Sequence, residues 1–372
     1  MTARPRVLFV GHHKTRLPLT AQDEKKWALL EERLDVRVLV ADGGGPPHPR
    51  FVRLRTAWAR GLRGAAFYAA IPAAVNREER RFRPDVIVAQ SPYEAAMVQL
   101  ARPRVPVICE VHGDWDTAAT DYGSSIRDLL AVPAGAVARW GVRRADATRP
   151  VGPTMARLVR ETTGKEPTRT FATWTDSDAY RIPPVQPIGE RPTALFVGVL
   201  QPYKNPEVLA AAWPAVLEQV PDARLVIVGR GPQQPIVDAL IARSGASVEH
   251  HEWLDAAEVR QQFDDAWFLA LPSRSEGLPR VGIESLLRGR PIVGADAGGI
   301  PDLIDDGHTG LLVKERDVSD LTRALVRMLS DREATAAMAE AAAKSWGPFV
   351  LTPTGYADAV VDLVETVIAD GR

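Results

Sequence analysis

Two α/β domains, each a parallel sheet wound by helices on both faces, are predicted for this chain of 372 residues. Three observations carry the prediction. Short, β-branched apolar runs such as Arg6 to Val10 (RVLFV) and Ala194 to Val199 (ALFVGV) recur in both halves, each ending in a loop that leads to a helical stretch. Pro183, Pro184, Pro187 and Pro192 cluster mid-chain, where repeated prolines break helix and ladder and mark a linker. The length suits two domains of ordinary size.

In chain order, the Arg6 to Val10 strand ends at Gly11, and the loop GHHKTRLPLT leads to a helix over Gln22 to Arg33 with Trp27, Leu30 and Leu34 on one side. Val36 to Val40 is the second strand, and Asp42 to Pro49 is turn-rich. Leu54 to Arg83 reads as helix interrupted by Gly61, Gly64 and Pro72. Asp85 to Ala89 is the next strand, with Ser91 as the cap of the helix that follows. Val105 to Val111 ends at His112-Gly113-Asp114-Trp115 and carries the single cysteine, Cys109, as a core thiol. Beyond the linker come strands at Ala194 to Val199, Leu225 to Val228, Val248 to Leu254, Ala266 to Leu271 and Pro291 to Ala295, then an alanine-rich helical region.

Composition sets outer bounds. With 45% hydrophobic and 25% charged residues the chain is globular, not disordered. It has no apolar run of membrane-spanning length, and its first apolar run is too short for a signal peptide, so a cytoplasmic location is expected. A net charge of -1 hides an asymmetry: residues 1 to 183 carry nine more cations than carboxylates, and the remainder ten more carboxylates than cations. Nine arginines between Arg50 and Arg83 face only Glu78 and Glu79. Two readings of that region stand: a solvated basic face, or a surface for an anionic acceptor or the headgroups of a membrane's inner leaflet. Nucleic acid is not expected, since no recognition module accompanies the charge. G-x-G-x-x-G follows no strand in the first half, so dinucleotide binding of that type is not supported.

The chemistry concentrates in Leu271 to Ile304 (LPSRSEGLPRVGIESLLRGRPIVGADAGGIPDLI). Ligands of open α/β sheets sit at the carboxyl ends of strands, where this loop begins. Gly277, Pro279 and Gly282 allow close backbone approach while a helix starts near Val281, so unpaired amides at residues 278 to 282 would present a positive helix end to a phosphate. Glu276 at the loop edge and Glu284 a turn into the helix can each accept two hydroxyl hydrogen bonds, which suits a sugar and a ribose diol. Gly298-Gly299 forms a second turn where backbone can approach a ligand. An acid in a loop and another on a helix face are commonplace individually; the ordered string is the signal.

That string resembles the retaining glycosyltransferases of family four, the glycosyl transferases group 1 of the GT-B fold: Pro272-Ser273, Glu276-Gly277, Glu284, Arg290 to Val293, Gly298 to Pro301 and Gly307 to Leu312 match in order. The resemblance implies two Rossmann-like domains facing each other across a cleft: an acceptor domain at 1–183 completed by a crossover helix in 346–372, and a nucleotide-sugar domain at 190–345. It implies donor contacts from Gly198, Lys204, Gly277, Leu278, Pro279, Arg280, Val281, Gly282 and Glu284, with catalysis by Glu276 and His112, the latter reaching the donor sugar. Val199 stands where relatives carry an arginine, and Arg230 or Arg280 is the candidate replacement cation. Trp253 and Leu254 fall in the base-cradling loop, where Trp253 stacks on the base or, the preferred reading, packs on the sheet. The first loop lacks the paired glycines of relatives; Gly11, His12, Lys14 and Arg16, with Asp114, are acceptor-side candidates or ordinary surface residues. The implied reaction moves a hexose-type sugar from a UDP- or GDP-sugar to a glycan, lipid-linked or small-molecule hydroxyl, with no metal and no cofactor. A sugar-nucleotide epimerase, a phosphorylase, or a degenerate sugar-nucleotide-binding protein is the alternative.

Overall fold

The computed structural model describes residues 4–56, 63–115, 125–181 and 186–371. Chain contacts divide it into two units, one of residues 1–119, 129–174 and 351–372, the other of residues 120–128 and 175–350. The basic-region residues 57–62 and the linker prolines Pro183 and Pro184 lie outside the described residues.

The first unit's strands are β1 (Arg6–Thr15), β2 (Asp35–Asp42), β3 (Phe51–Leu54), β4 (Val86–Ala89), β5 (Val107–Val111) and β6 (Ala147–Pro150), with helices α1 (Ala21–Glu31), α2 (Arg63–Arg81), α3 (Pro92–Leu100), α4 (Ser125–Arg144) and α5 (Pro153–Thr163). All pair in parallel in the order β3-β2-β1-β4-β5-β6. The second unit repeats the plan with β7 (Thr193–Val197), α6 (Pro206–Gln219), β8 (Arg224–Val228), α7 (Gln234–Ser244), β9 (Val248–His251), α8 (Ala256–Asp265), β10 (Phe268–Leu271), α9 (Arg280–Leu287), β11 (Ile292–Ala295), β12 (Gly310–Val313), α10 (Val318–Ser330) and α11 (Arg332–Ser345), in the order β12-β11-β10-β7-β8-β9. The last helix, α12 (Pro353–Asp370), returns to the first unit, where Tyr356, Val360 and Val364 join a core with Trp27, Trp174 and the strands. Burial of such faces, roughly 25 cal/mol per Å² of apolar surface, holds each sheet between its helices.

Several boundaries differ from expectation. β1 does not stop at Gly11: after a register shift, Lys14 and Thr15 pair again with Ala41 and Asp42, so the first half of the expected loop is strand. Phe51 to Leu54 forms an edge strand that its four residues did not announce. α2 runs through Gly64 and Pro72 because Phe67, Ile71 and Val75 are fully buried along it, and that burial outweighs local propensity. Ser91 caps α3 as expected, accepting from the Tyr93 amide at 3.2 Å.

The basic region is less free than its composition. Arg50 is buried, its guanidinium held by Glu31 at 2.6 Å and Glu24 at 3.4 Å. Arg53 lies 3.4 Å and Arg55 3.6 Å from Asp42, and Arg77 lies 3.2 Å from Glu78. Cys109 is fully buried, and desolvation pushes its thiol pKa far up, which removes it from nucleophilic chemistry.

Candidate functional site

In the second sheet the winding reverses between β7 and β10, the switch point beyond which open α/β sheets bind their ligands. The β7 loop delivers Lys204 from a 3-10 turn, Pro202–Lys204, and the β10 loop delivers Glu276. Their side chains form an ion pair, Lys204 Nζ to Glu276 Oε1, each largely shielded from solvent. Gly198 at the end of β7 makes room for this: a Cβ there would stand 3.4 Å from Lys204 Cε. The two loops are also laced by backbone. Asn205, in a left-handed conformation, donates from Nδ2 to the Pro272 carbonyl at 3.2 Å, and the Arg274 amide donates to the Tyr203 carbonyl at 2.7 Å. Buried beside them, Ser273 Oγ and Asn205 Oδ1 have no hydrogen-bond partner, which leaves polar capacity at the crevice floor.

The diglycine turn serves this loop before it serves any ligand. Gly299 donates its amide to the Glu276 carbonyl at 2.8 Å, and a Cβ on Gly299 would overlap the Gly277 carbonyl oxygen. Gly298 adopts φ 54°, with the Glu276 backbone against its Cα. Gly298 and Gly299 thus approach the Glu276 backbone and fix where its carboxylate starts. Gly229 and Gly231 likewise lie against the carbonyls of Gly198 and Leu200. Gly299→Ala is expected to destabilise the second unit by about 1–3 kcal/mol, read from urea unfolding. A stability equal to the parent chain would reject this close packing.

At α9 the expected row of free amides is shortened. Gly282 donates to the Pro279 carbonyl at 3.0 Å, and a Cβ on Gly282 would stand 2.6 Å from Leu303 Cδ1. Its missing side chain therefore admits the packing of Leu303 against α9, and its amide is held by the Pro279 carbonyl. Pro279 precedes the helix with no side-chain cap, so the first turn at Arg280 and Val281 keeps its open end. Glu284 follows one turn in, buried, with Arg280 Nε 3.3 Å away and a hydrogen bond from the Tyr180 hydroxyl. Burial raises its pKa to about 7, against the opposing pull of Arg280 and Tyr180. Arg280 therefore serves Glu284. Arg230 is solvent-exposed, and Val199 at the expected arginine position is 49% exposed. Trp253 is 70% exposed, which overturns its packing on the sheet: β9 ends at His251 and the ring lies beyond it, with Leu254 half-buried.

The first sheet reverses between β1 and β4, and polar groups gather there too. Gly11 is closed off by Gln90 and His13. The His12 ring stacks on Tyr68 at 5.1 Å and tilts against Phe67 at 4.8 Å, while Lys14 and Arg16 are exposed. The His12 amide donates to Glu94 Oε1 at 3.0 Å and the Tyr68 hydroxyl to the same atom at 3.3 Å, whereas Glu94 Oε2 is buried without a partner. Desolvation lifts Glu94 to about 7 despite these donors. His112 emerges from β5 with its ring exposed and Nε2 3.1 Å from Glu110 Oε2. Burial would raise the Glu110 pKa, but buried Arg149, 3.5 Å away, and His112 hold it near 2. Asp114 is half-buried nearby in sequence. Glu94, Glu110, Arg149 and Tyr180 were not singled out from sequence; only the acid in the first turn after Ser91 offered a signal, and it reads equally as a helix-dipole residue.

Two doubly wound units, each an all-parallel six-stranded sheet wound by helices, define a two-domain α/β protein of GT-B type. Two family models agree: "Glycosyl transferases group 1" matches residues 191–331 and "Glycosyl transferase 4-like domain" matches residues 27–173. The chain belongs to the group 1 glycosyltransferases of GT-B fold. It is 28% identical over 292 residues to the sulfoquinovosyl transferase SQD2 of Arabidopsis thaliana, covering 73% of this chain and 55% of that protein. It is 32% identical over 160 residues to the GDP-mannose-dependent α-(1-6)-phosphatidylinositol monomannoside mannosyltransferase of Mycolicibacterium smegmatis, covering 41% and 42%. The chain thus spans about half the length of these relatives. The solved sucrose-phosphate synthase of Thermosynechococcus elongatus superposes with a TM-score of 0.77 at 18% identity, covering 99% of this chain and 100% of that one.

Proposed function

We propose that this protein is a retaining, metal-independent glycosyltransferase that moves a hexose-type sugar from a nucleotide-diphosphate sugar to a hydroxyl acceptor. The observation that carries the reading is the Lys204–Glu276 pair at the switch point with Glu284 buried one turn into α9. In this reading the donor diphosphate takes Lys204, the first-turn amides of α9 meet its oxygens, and Glu276 is released to the transferred sugar's hydroxyls. Glu284 holds the ribose diol, and the exposed Trp253 is available to the base. The leaving phosphate accepts the acceptor's proton on the same face, so positioning and charge stabilisation do most of the work. A GDP-mannose-dependent relative supports a nucleotide-sugar donor without fixing its base.

Calorimetry with UDP-, GDP-, ADP- and dTDP-sugars, followed by product detection with added acceptors, tests the reading. Donor binding with no turnover of any acceptor would leave a degenerate binding protein, a reading that Val199 at the expected cation position favours. A pH dependence follows from Glu284. Its carboxylate, protonated below about 7, accepts two hydroxyls only when ionised, so donor Kd is expected to fall as pH rises from 6 to 8. Glu284→Gln should flatten that profile; an unchanged slope would remove Glu284 from the ribose.

A further inference from the structure

Three of the large apolar side chains left exposed among the described residues belong to α3 and α4: Leu100 at 57%, Val137 at 39% and Trp140 at 40%. On α4, Gly135, Ala138, Gly141 and Val142 turn inward, and Gly141 sits against the Pro92 carbonyl and Ala96 of α3. Pro133, Ala136, Val137 and Trp140 form the outward stripe, which continues into exposed Arg143 and Arg144. Gln99 Nε2 donates to the Arg144 carbonyl at 2.9 Å, so the Leu100 end of α3 and the basic end of α4 lie side by side.

Between them opens a cavity of about 640 Å³ lined by Arg104, Arg143, Arg144 and Lys165 with one carboxylate, Asp146. Asp146 Oδ2 accepts from the Val107 amide at 2.8 Å. Glu79 accepts from the Arg104 amide at 2.8 Å, which brings the end of α2, with exposed Arg80, Arg81 and Arg83, to the same rim. Part of this charge answers helix ends: Arg143 Nε donates to the Thr162 carbonyl of α5 at 2.9 Å. That role explains arginines in last turns; it does not explain a tryptophan and a valine left in water beside them.

We propose that this face, the carboxyl ends of α2, α3 and α4, docks onto a bilayer rich in anionic lipid. Trp140, Val137 and Leu100 enter the headgroup boundary and the cations of the cavity receive lipid phosphates. An amphipathic tryptophan suits that boundary, and each basic residue near an anionic surface adds about 1 kcal/mol. Among the described residues no helix is long and apolar enough to cross a membrane, so the contact is peripheral. The surface takes in only the carboxyl end of the expected Arg50 to Arg83 region, Arg80, Arg81 and Arg83, while Arg50 is consumed by internal ion pairs.

The test is co-sedimentation of the full chain with phosphatidylglycerol-containing vesicles and with pure phosphatidylcholine vesicles. Partition onto the anionic vesicles alone is expected, lowered by added salt. Arg104→Glu with Arg144→Glu should reduce it at least about tenfold, and Trp140→Ser about tenfold with the charge intact. All three side chains are exposed, and unchanged thermal melting of the variants confirms that folding is not read instead. No partition onto anionic vesicles, equal partition onto neutral ones, or full partition by both variants would overturn the proposal. Binding of inorganic phosphate without vesicle binding would overturn it as well, since the cavity would then be a soluble-anion site.

Discussion

Lys204→Ala is expected to lower sugar transfer by about 10²–10³-fold and to weaken donor binding, and Glu276→Gln to cost a similar factor, chiefly in kcat. The two side chains neutralise each other across the switch point. Removing the lysine removes the cation that the proposed function assigns to the diphosphate and also strands a carboxylate that is only 13% exposed, a folding cost on the order of 3 kcal/mol. Lost activity in that single variant is thus ambiguous between chemistry and stability. Lys204→Met combined with Glu276→Gln resolves it: both charges vanish, much of the stability returns, and transfer stays lost. If the double variant regained transfer along with stability, the pair would be structural and the donor site would lie elsewhere. On the proposed function, Val199 in place of a cation is expected to make the loss at Lys204 larger, because no arginine there would share the diphosphate.

What could be read from sequence follows a physical division. Strands such as Val86 to Ala89 and Phe268 to Leu271 are uniformly apolar because both faces of a parallel sheet are covered, and that pattern is local. Glu276 and Glu284 are eight residues apart on one loop and its helix, so their shared crevice is local too. Contacts between loops are not. Whether Gly299 faces a ligand or the Gly277 carbonyl depends on β10 and β11 being neighbours, and the same adjacency turns Gly282 toward Leu303. The ladder to Ala41 and Asp42 carries β1 past a glycine where local chemistry favours a turn. Trp253 misled because an aromatic after a strand is packed more often than exposed.

Glu94→Gln is expected to stabilise the protein above neutral pH. The carboxyl has an ordinary value of 4.5, and in the folded chain burial against β1 and α2 raises it to about 7. Between those values the folded chain keeps a proton that the unfolded chain has released. The stability contributed by this group is complete below about 4.5 and is lost as pH rises through 7, a loss on the order of 3 kcal/mol by pH 8. Glutamine cannot ionise, yet its carbonyl still accepts from the His12 amide and the Tyr68 hydroxyl, so the variant should match the parent near pH 4.5 and exceed it at pH 8. Glu284 is raised to about 7 by its own burial and acts in the same window, so Glu284→Gln should give a second increment, additive because the two acids lie in different units. Urea midpoints of parent, single and double variants between pH 4.5 and 8 measure all of this. Parallel stability curves for parent and Glu94→Gln would show that Glu94 is already ionised in the folded chain, and that the buried Oε2 has a partner that keeps it so.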